Sequence, residues 1–551
     1  MATDSRADAQ PQMELRPILE VAEGLDLDAD EVELFGRDKA KIGLGVIERL
    51  AKRPNGKLIA VTAITPTKAG EGKTTTAISL TEGLGYIGES SLVCLREPSV
   101  GPTLGAKGGG TGAGLAQVVP GEDINLHFTG DLHAIAAANN LLASAIDAHL
   151  VHGNELGIDP ATITWRRCLD IEDRMLRRIA VGLGEDAPFP RECGFDITAA
   201  SEVMALLAMA RDRDDLRHRL GAITVATTRE GGPVTAEDLE VAGAMAVLLK
   251  DAIKPNLVQT LEGQPALVHA GPFANIAHGN SSLVGDLVGL KLADYVVTEG
   301  GFASDLGFEK FIHIVCRQAG LSPDAVVLVA TTQALKRHGG DPDGGLPALE
   351  RGAQNLAAHL RIVEELGFHA VVAVNKFPGD SLLELEAASA LALDLGAFGV
   401  AVNDAYAHGG EGAAALAELV AEAANRGAHA RFVYDLADPV EEKLDALARR
   451  IYGGAGAELS PSARETLERL PAELHEVPVC VAKTHLSLSH DPELVGAPAD
   501  FVLPVRELRA YTGAGWLVAV CGETQTMPGL PAHSAAERMD LDAGGRIVGL
   551  A

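Results

Sequence analysis

Aromatic residues are scarce in this chain. Phe, Trp and Tyr make up 4% of its 551 residues, whereas apolar residues as a whole make up 47%. The interior must therefore be filled mainly by small aliphatic side chains, and this composition favours buried parallel strands covered by helices. The length predicts about three or four domain-sized units.

Basic residues are also in short supply. The chain has 46 Lys and Arg against 76 Asp and Glu, which gives a formal net charge of −30. An acidic excess of this size argues against nonspecific binding to nucleic acid or to an anionic membrane. We therefore expect neither as a partner, although a local basic pocket for an anionic substrate is still compatible with this composition.

Cysteine pairs and long apolar runs are missing as well. The six cysteines include no C-x-x-C pair, which argues against a zinc site and predicts free thiols in a reducing compartment. No stretch offers about 18 uninterrupted apolar residues, so the sequence predicts no membrane-spanning helix. The N-terminus lacks the apolar segment of a signal peptide, and we expect a cytoplasmic protein.

The most informative stretch is the glycine-bearing segment 65–76, TPTKAGEGKTTT. It follows the apolar run 58–64 and precedes a segment with helical spacing, and this strand–loop–helix context is typical of a loop that binds nucleotide phosphates. Lys73 is predicted to reach the outer phosphates, and the hydroxyl of Thr74 is predicted to hold Mg²⁺. The predicted ATP-binding residues are Thr65, Pro66, Thr67, Lys68, Ala69, Gly70, Glu71, Gly72, Lys73, Thr74 and Thr75.

The match to the phosphate-loop pattern G-x-x-x-x-G-K-[ST] has one defect, because Thr67 stands where the first glycine is expected. The alternative interpretation is an ordinary strand-to-helix turn, in which glycine relaxes the backbone and threonine caps the helix. That alternative does not explain a lysine beside two glycines and three threonines.

A second strand, 91–95, runs into Arg96-Glu97-Pro98. Proline ends the strand, so this loop lies at its carboxyl end, where open parallel sheets bind their ligands. Arg96 is therefore predicted to face the same crevice as Lys73 and to bind a carboxylate or phosphate with two N–H groups. The alternative is a surface arginine paired with Glu97.

The strand–helix rhythm continues along the chain and predicts an α/β fold, a phosphate-loop NTPase-like, doubly wound, mostly parallel sheet with smaller α/β lobes. We expect two or three helices within residues 13–50. Further short strands are predicted at 222–226, 257–260, 266–269, 295–298, 326–331, 370–375, 477–482 and 516–520. The predicted division is a disordered segment 1–17, a nucleotide-binding core 18–380 with an inserted helical lobe near 158–220, a helix-rich lobe 381–475 and a C-terminal α/β lobe 476–551.

Three further stretches are less specific. Lys107 lies in a run of glycines that either approaches a ligand closely or is a mobile linker. The segment 123–133 holds two His and two Asp, but their spacing matches no standard metal site, so we expect polar contacts either to substrate or to the residues that surround it. The segment 374–378 is similar to a base-reading N-K-x-D loop, with Pro378 where Asp is expected.

Together these stretches resemble the formate–tetrahydrofolate ligase family, from about residue 18 to the C-terminus. The matching stretches are 65–76, 96–99, 107–109, 119–131, 133–135, 139–140, 271–279, 299–302 and 529–531. The resemblance implies that ATP drives the joining of formate to N10 of tetrahydrofolate, with formyl phosphate as the intermediate. It also implies a homotetramer that is activated by a monovalent cation such as K⁺ or NH₄⁺.

The resemblance further assigns roles to individual residues. Lys73 and Arg96 are expected to be catalytic, with Arg96 and Glu97 binding substrate and Phe302 and Tyr406 stacking on the pterin. The family often has Trp where Tyr406 stands, which weakens the expected stacking, and usually has Pro where Lys68 stands. Lys68 is expected either to contact a phosphate or to face solvent.

Two rival functions are compatible with parts of the sequence. The spacing of Lys68 and Lys73 is also that of the deviant phosphate loop in partitioning and cell-division ATPases, although the acidic charge and the length argue against such a switch. The second rival is a catalytically inactive scaffold, which the presence of Lys73, Thr74 and Arg96 argues against.

Overall fold

The structure is a computed structural model that describes residues 15–67, 70–105, 109–185, 189–273, 276–522 and 525–550. In these residues the strands, in chain order, are β1 (Val32–Leu34), β2 (Ala40–Ile42), β3 (Lys57–Ala63), β4 (Ser91–Leu95), β5 (Gly112–Ala113), β6 (Ala116–Val119), β7 (Arg167–Cys168), β8 (Ile179–Val181), β9 (Arg191–Cys193), β10 (Phe195–Asp196), β11 (Thr224–Thr227), β12 (Pro233–Thr235), β13 (Asn256–Thr260), β14 (Pro265–Val268), β15 (Tyr295–Glu299), β16 (Ala325–Ala330), β17 (Ala370–Asn375), β18 (Gly399–Asn403), β19 (Gly456–Leu459), β20 (Val479–Ala482), β21 (Val502–Val505), β22 (Glu507–Tyr511), β23 (Trp516–Val520), β24 (Asp540–Leu541) and β25 (Ile547–Val548).

The α-helices of the same described ranges are α1 (Ile18–Gly24), α2 (Gly45–Arg49), α3 (Lys73–Tyr86), α4 (Val100–Leu104), α5 (Gly121–Asn125), α6 (Asp131–Val151), α7 (Glu202–Met209), α8 (Arg213–Gly221), α9 (Ala242–Leu248), α10 (Leu283–Leu292), α11 (Arg317–Ala319), α12 (Thr332–His338), α13 (Gly345–Glu365), α14 (Leu382–Asp394), α15 (Ala405–Arg426), α16 (Val440–Ala446) and α17 (Pro461–Arg469).

One large mixed sheet organises the molecule. Its strand order is β1-β2-β13-β14-β4-β15-β3-β16-β17-β18, with β6 paired to β13 and β5 paired to β6. From β14 to β18 every neighbouring pair is parallel, whereas β1, β2, β6 and β13 pair in the antiparallel sense. The α/β class with a mostly parallel sheet is thus confirmed. The carboxyl ends of β4, β15, β3, β16, β17 and β18 meet at one edge.

Alternate side chains of the central strands fill two cores, one on each face of the sheet. In β3, Leu58 and Ala60 belong to one core, and Ile59 and Val61 belong to the other. Strands buried on both faces carry continuous apolar runs, which explains why the sequence revealed them so clearly. The second core is covered by α3 and α15, which pack so closely that a Cβ on Gly83 would lie 2.9 Å from the Cβ of Ala413.

The predicted strands 257–260, 266–269, 295–298, 326–331 and 370–375 are confirmed within a residue or two as parts of the large sheet. The expected strand 222–226 is present as β11, but it pairs with β12 in a separate hairpin. The last two predicted strands are β20 and β23, which form a three-stranded sheet with β22.

The two or three helices expected within residues 13–50 are confirmed as α1 and α2, but the hairpin β1–β2 between them, which joins the large sheet, was not predicted. One secondary-structure expectation is wrong. In segment 158–220, helices begin only at Glu202, and short strands and 3-10 turns precede them. Asp159 and Asp173 accept backbone N–H groups two residues on and so stabilise those turns, a local alternative to helix that charge spacing does not reveal.

The predicted lobes stay a prediction, with one structural observation bearing on them. Segment 381–475 is rich in helices, but its strand β18 is the edge strand of the large sheet, so the sheet extends past residue 380.

Among the described residues, one helix, α6, has the length and composition to cross a membrane, and its Ile135, Leu142 and Ile146 are buried in the protein core. No disulfide joins any of the six cysteines, all of which lie in the described ranges.

Candidate functional site

The loop between β3 and α3 lies at the carboxyl edge of the sheet, between the ends of neighbouring parallel strands. Gly70 and Gly72 adopt left-handed backbone conformations, with φ of +85° and +73°. Gly72 is the residue before the first turn of α3, so the backbone turns sharply where the helix begins at Lys73. A helix N-terminus presents unpaired N–H groups that favour an anion. The predicted contacts of Lys68 and Lys107 lie outside the described residues.

Glu71 anchors this loop to the end of the next strand. Its carboxylate accepts a hydrogen bond from the backbone N–H of Thr67 at 2.6 Å and another from the hydroxyl of Thr331, which follows β16. Glu71 is buried. Its side chain is therefore used within the protein, and a contact with nucleotide would come from the backbone of the loop.

The start of the loop is held by histidines from two helices. The backbone N–H of Thr65 donates to Nε2 of His359 at 2.8 Å, and Nδ1 of His359 lies 2.7 Å from the hydroxyl of Ser304. Nε2 of His338 lies 2.9 Å from the carbonyl oxygen of Thr65. Burial lowers the pKa of His359 to about 3 and that of His338 to about 4, so both rings are neutral at neutral pH.

Asn375, the last residue of β17, holds the other end of the loop. Its amide donates to the carbonyl oxygen of Glu71 at 2.8 Å, lies 2.8 Å from the hydroxyl of Thr76, and accepts from the amide of Asn403 at 2.9 Å. The neighbouring Lys376 pairs with Asp404 at 2.6 Å. The Asn-Lys pair that resembled a base-reading loop thus has its side chains engaged within the protein.

Arg96 and the start of α3 meet across one carboxylate. Glu299 ends β15, which lies between β3 and β4. Its Oε2 accepts from the hydroxyl of Thr74 at 2.8 Å, and its Oε1 lies 3.6 Å from Nε of Arg96. Nε of Arg96 is buried and has no hydrogen-bond partner among the described residues. The edge of the sheet thus places a guanidinium with an unused donor near the start of α3.

Glu97 points into a buried charged cluster. It is 4% exposed, and burial and then the nearby carboxylate of Asp131 raise its pKa well above the usual range, an effect partly offset by Lys41. Lys41 itself pairs with Asp131 at 2.8 Å. The surface pair of Arg96 with Glu97, the alternative that the sequence left open, is not among the described ion pairs, in which Arg96 faces Glu299.

The two aromatic residues expected to bind the pterin lie on different elements. Phe302 follows β15 with an unusual φ of +62°, and its ring stacks on His485 with centroids 4.6 Å apart. Tyr406 lies in the first turn of α15 and is 48% exposed, and its carbonyl oxygen accepts from the N–H of Leu115 at 3.0 Å. No described contact joins Phe302 to Tyr406, and their sandwich stays a prediction.

The sequence profile of the formate–tetrahydrofolate ligase family matches residues 4–551. The chain belongs to this family. It is similar to the formate–tetrahydrofolate ligase of Roseiflexus castenholzii, with 53% identity over 552 residues that cover 97% of this chain and 98% of the relative. The ligase of Bacillus licheniformis is 52% identical over 545 residues (98% and 97%), and that of Saccharopolyspora erythraea is 49% identical over 569 residues, the whole of both chains.

In this member of the formate–tetrahydrofolate ligase family, the His- and Asp-bearing segment 123–133 has structural contacts. Asp131 pairs with Lys41, and His133 is exposed. The amides of Asn139 and Asn140 donate to the carbonyl oxygens of Arg166 and Cys168. In the described part of the chain, no group of three or more His, Cys, Asp or Glu is arranged to hold a metal ion.

Four residues of the site were not predicted to contact the segment 65–76: Glu299, Thr331, Asn375 and His359, although Glu299 and Asn375 lie in stretches that the sequence had marked for other reasons. The first three had a usable signal, because each lies at or just after the end of an apolar strand, where parallel sheets bind ligands. His359 had none. It lies in the middle of α13, and its contact with Thr65 spans 294 residues of chain.

Proposed function

We propose that the protein joins formate to tetrahydrofolate at the expense of ATP and forms 10-formyltetrahydrofolate, ADP and phosphate. Family membership supports this reaction. The observation that carries the proposed site is the approach of Arg96 and Thr74 to the same carboxylate, Glu299. This approach supports a site in which Arg96, an anion-binding side chain, lies near the end of a turn that resembles a phosphate loop. The activation of a carboxylate by ATP requires such a pairing.

The first step is an attack of formate on the γ-phosphorus, which forms formyl phosphate and releases ADP. Formate is ionised at neutral pH because carboxyl pKa values lie near 4, so no general base is needed. Two anions must nevertheless approach each other, and the protein's contribution is positioning and neutralisation of charge. Lys73 and the backbone around Gly70 and Gly72 bind the phosphates, in the manner of a phosphate-loop NTPase.

Mg²⁺ fits this arrangement. The hydroxyl of Thr74 and the carboxylate of Glu299 are oxygen groups 2.8 Å apart, and Mg²⁺ is bound by oxygen ligands and by the phosphates of the nucleotide. When bound with ATP, Mg²⁺ offsets the negative charge that develops on the phosphates. Thr74 and Glu299 are the residues that would hold it or the waters around it.

Arg96 binds formate and then the formyl phosphate. Its unused Nε–H, together with a terminal N–H, forms the fork that pairs with a carboxylate or phosphate. A site closed to water is required, since the acyl phosphate must reach the folate amine before it hydrolyses. Phe302 and Tyr406 stack on the pterin, and each contributes about 1 kcal/mol in addition to the free energy gained by burying its apolar area. Glu97 also belongs to the proposed substrate site.

The family resemblance also supports three wider proposals. The chain acts as a homotetramer in the cytoplasm, and a monovalent cation such as K⁺ or NH₄⁺ activates it.

The role of Arg96 is tested by Arg96→Ala. We expect 10-formyltetrahydrofolate formation to fall by about 10²–10³-fold, the usual loss for one transition-state charge contact. Binding of Mg-ADP, measured by calorimetry, should stay within about twofold, since Arg96 contacts the anion and not the nucleotide. Arg96→Lys keeps the charge without the fork and should recover only part of the rate. An Arg96→Ala variant that forms product at the unmodified rate would refute the assignment.

A further inference from the structure

Glu299 lies between the two halves of the proposed site. It is the last residue of β15, whose neighbours are β3, which leads into the phosphate loop, and β4, which leads to Arg96. Its side chain is 4% exposed. A carboxylate this buried needs partners, and the described partners are Thr74 of α3 and Arg96, which follow the two strands on either side.

The two contacts differ in kind. The hydroxyl of Thr74 donates a hydrogen bond at 2.8 Å, whereas Nε of Arg96 is 3.6 Å from the carboxylate and makes no hydrogen bond among the described residues. Glu299 therefore offsets the charge of Arg96 without satisfying its donor. The guanidinium of Arg96, which is proposed to attract formate, is therefore partly neutralised by the carboxylate of Glu299.

We propose that Glu299 makes the binding of formate at Arg96 depend on Mg-nucleotide at the phosphate loop. This inference rests on the function proposed above. The threonine hydroxyl at the start of the helix and a carboxylate at the end of the adjacent strand are the groups with which phosphate-loop enzymes hold Mg²⁺. With Mg²⁺ held at that place, the negative charge of Glu299 would be offset, and the charge of Arg96 would then be free to attract formate.

The coupling has a definite sign. Without Mg-nucleotide, Glu299 opposes the approach of formate to Arg96 because two carboxylates would share one guanidinium. With Mg-nucleotide, formate binds more tightly, and by reciprocity formate tightens the binding of Mg-nucleotide. This coupling favours the binding of formate to a protein that already holds the nucleotide that donates the phosphoryl group.

The experiment measures the dissociation constant of ¹³C-formate by NMR titration, with no nucleotide, with ADP and EDTA, and with Mg-ADP. ADP is the probe because it occupies the loop without turnover. In the unmodified protein we expect formate to bind about tenfold more tightly with Mg-ADP than in the other two arms, within the usual range of coupling between sites. Equal constants in all three arms would overturn the proposal.

The variant Glu299→Gln has nearly the same shape and lacks the charge. In this variant the difference between arms should shrink to less than about twofold, because formate already binds without Mg-ADP. Glu386→Gln, an exposed residue of α14, is the matched control and should keep the full difference. A Glu299→Gln variant that keeps the full difference would show that another residue carries the coupling. If circular dichroism shows that this variant does not fold, Glu299→Asp replaces it, and retention of the full tenfold difference would then still be expected.

A second measurement addresses the threonine. Thr74→Ser keeps the hydroxyl and should keep the dependence of ADP affinity on Mg²⁺, whereas Thr74→Val and Glu299→Gln should each weaken that dependence. If both retain it in full, the proposed cation contacts are wrong. Product formation by the unmodified protein is assayed on the same preparation. Product with nucleotide-independent formate binding refutes the coupling alone, and absence of product refutes the proposed function.

Discussion

Asn375 offers the sharpest test of how the proposed phosphate loop is held. Its amide donates to the carbonyl oxygen of Glu71 at 2.8 Å, contacts the hydroxyl of Thr76, and accepts from Asn403 at 2.9 Å. Asn375→Ala removes all three partners from buried groups. Each lost hydrogen bond costs about 1 kcal/mol net, and more where a buried group is left unpaired, so we expect a loss of about 2–4 kcal/mol in the free energy of unfolding.

Part of this loss should appear in ligand binding, because the loop that Asn375 fixes is the proposed phosphate site. We expect the affinity for Mg-ADP to fall about tenfold, because the loop is less well ordered. This change corresponds to a loss of about 1.4 kcal/mol in the free energy of binding. The assays are urea unfolding followed by circular dichroism, and calorimetric titration with Mg-ADP. Asn55→Ala, at an exposed position before β3, is the control and should change neither quantity.

Asn375→Asp separates the donor from the acceptor. The carboxylate can still accept from Asn403, but it cannot donate to the carbonyl oxygen of Glu71 and repels it instead. This variant should therefore bind Mg-ADP no better than Asn375→Ala. If both variants bind Mg-ADP like the unmodified protein, the loop is positioned by other contacts and the reasoning fails.

Two further predictions concern the residues around this loop. Gly72→Ala forces a residue with a side chain into a left-handed conformation, which costs about 1–2 kcal/mol, and places its Cβ 3.0 Å from the amide of Asn375, so the affinity for Mg-ADP should drop. The control is Gly88→Ala, at a position that is also left-handed but has nothing within 4 Å of the added Cβ. This control should lose stability and keep its affinity for Mg-ADP. An equal loss of affinity in both would count against a local effect. Burial, and then the nearby Glu262, raise the pKa of Glu82 from 4.5 to about 8. The folded protein therefore holds this proton more tightly than the unfolded chain, and the contribution of Glu82 to the free energy of unfolding, complete below pH 4.5, is lost as the pH rises towards about 8. Glu82→Gln should therefore raise the melting temperature relative to the unmodified protein at about pH 9 and not at about pH 5, and a pH-independent difference would contradict the assignment.

Several features could be predicted because their signals are local. The apolar run of β3, the glycines before α3 and the run of β4 each lie within about ten residues of chain, and the preferences of those residues determine strand, turn and helix there. Arg96 could likewise be placed at a carboxyl strand end, because Pro98 follows two residues later. Helical content in segment 158–220 was overestimated because capping by single aspartates competes with helix at the same local scale.

The sequence by itself determined the α/β class, the strand–loop–helix unit around Lys73 and the presence of Arg96 at a strand end. Only the tertiary structure decided that β15 inserts between β3 and β4, and this order brings Glu299 to Thr74 across 225 residues of chain. The order of strands depends on how whole faces pack against two cores, and no short stretch of sequence encodes it. The partners of Thr65, Glu71 and Asn375 were hidden for the same reason.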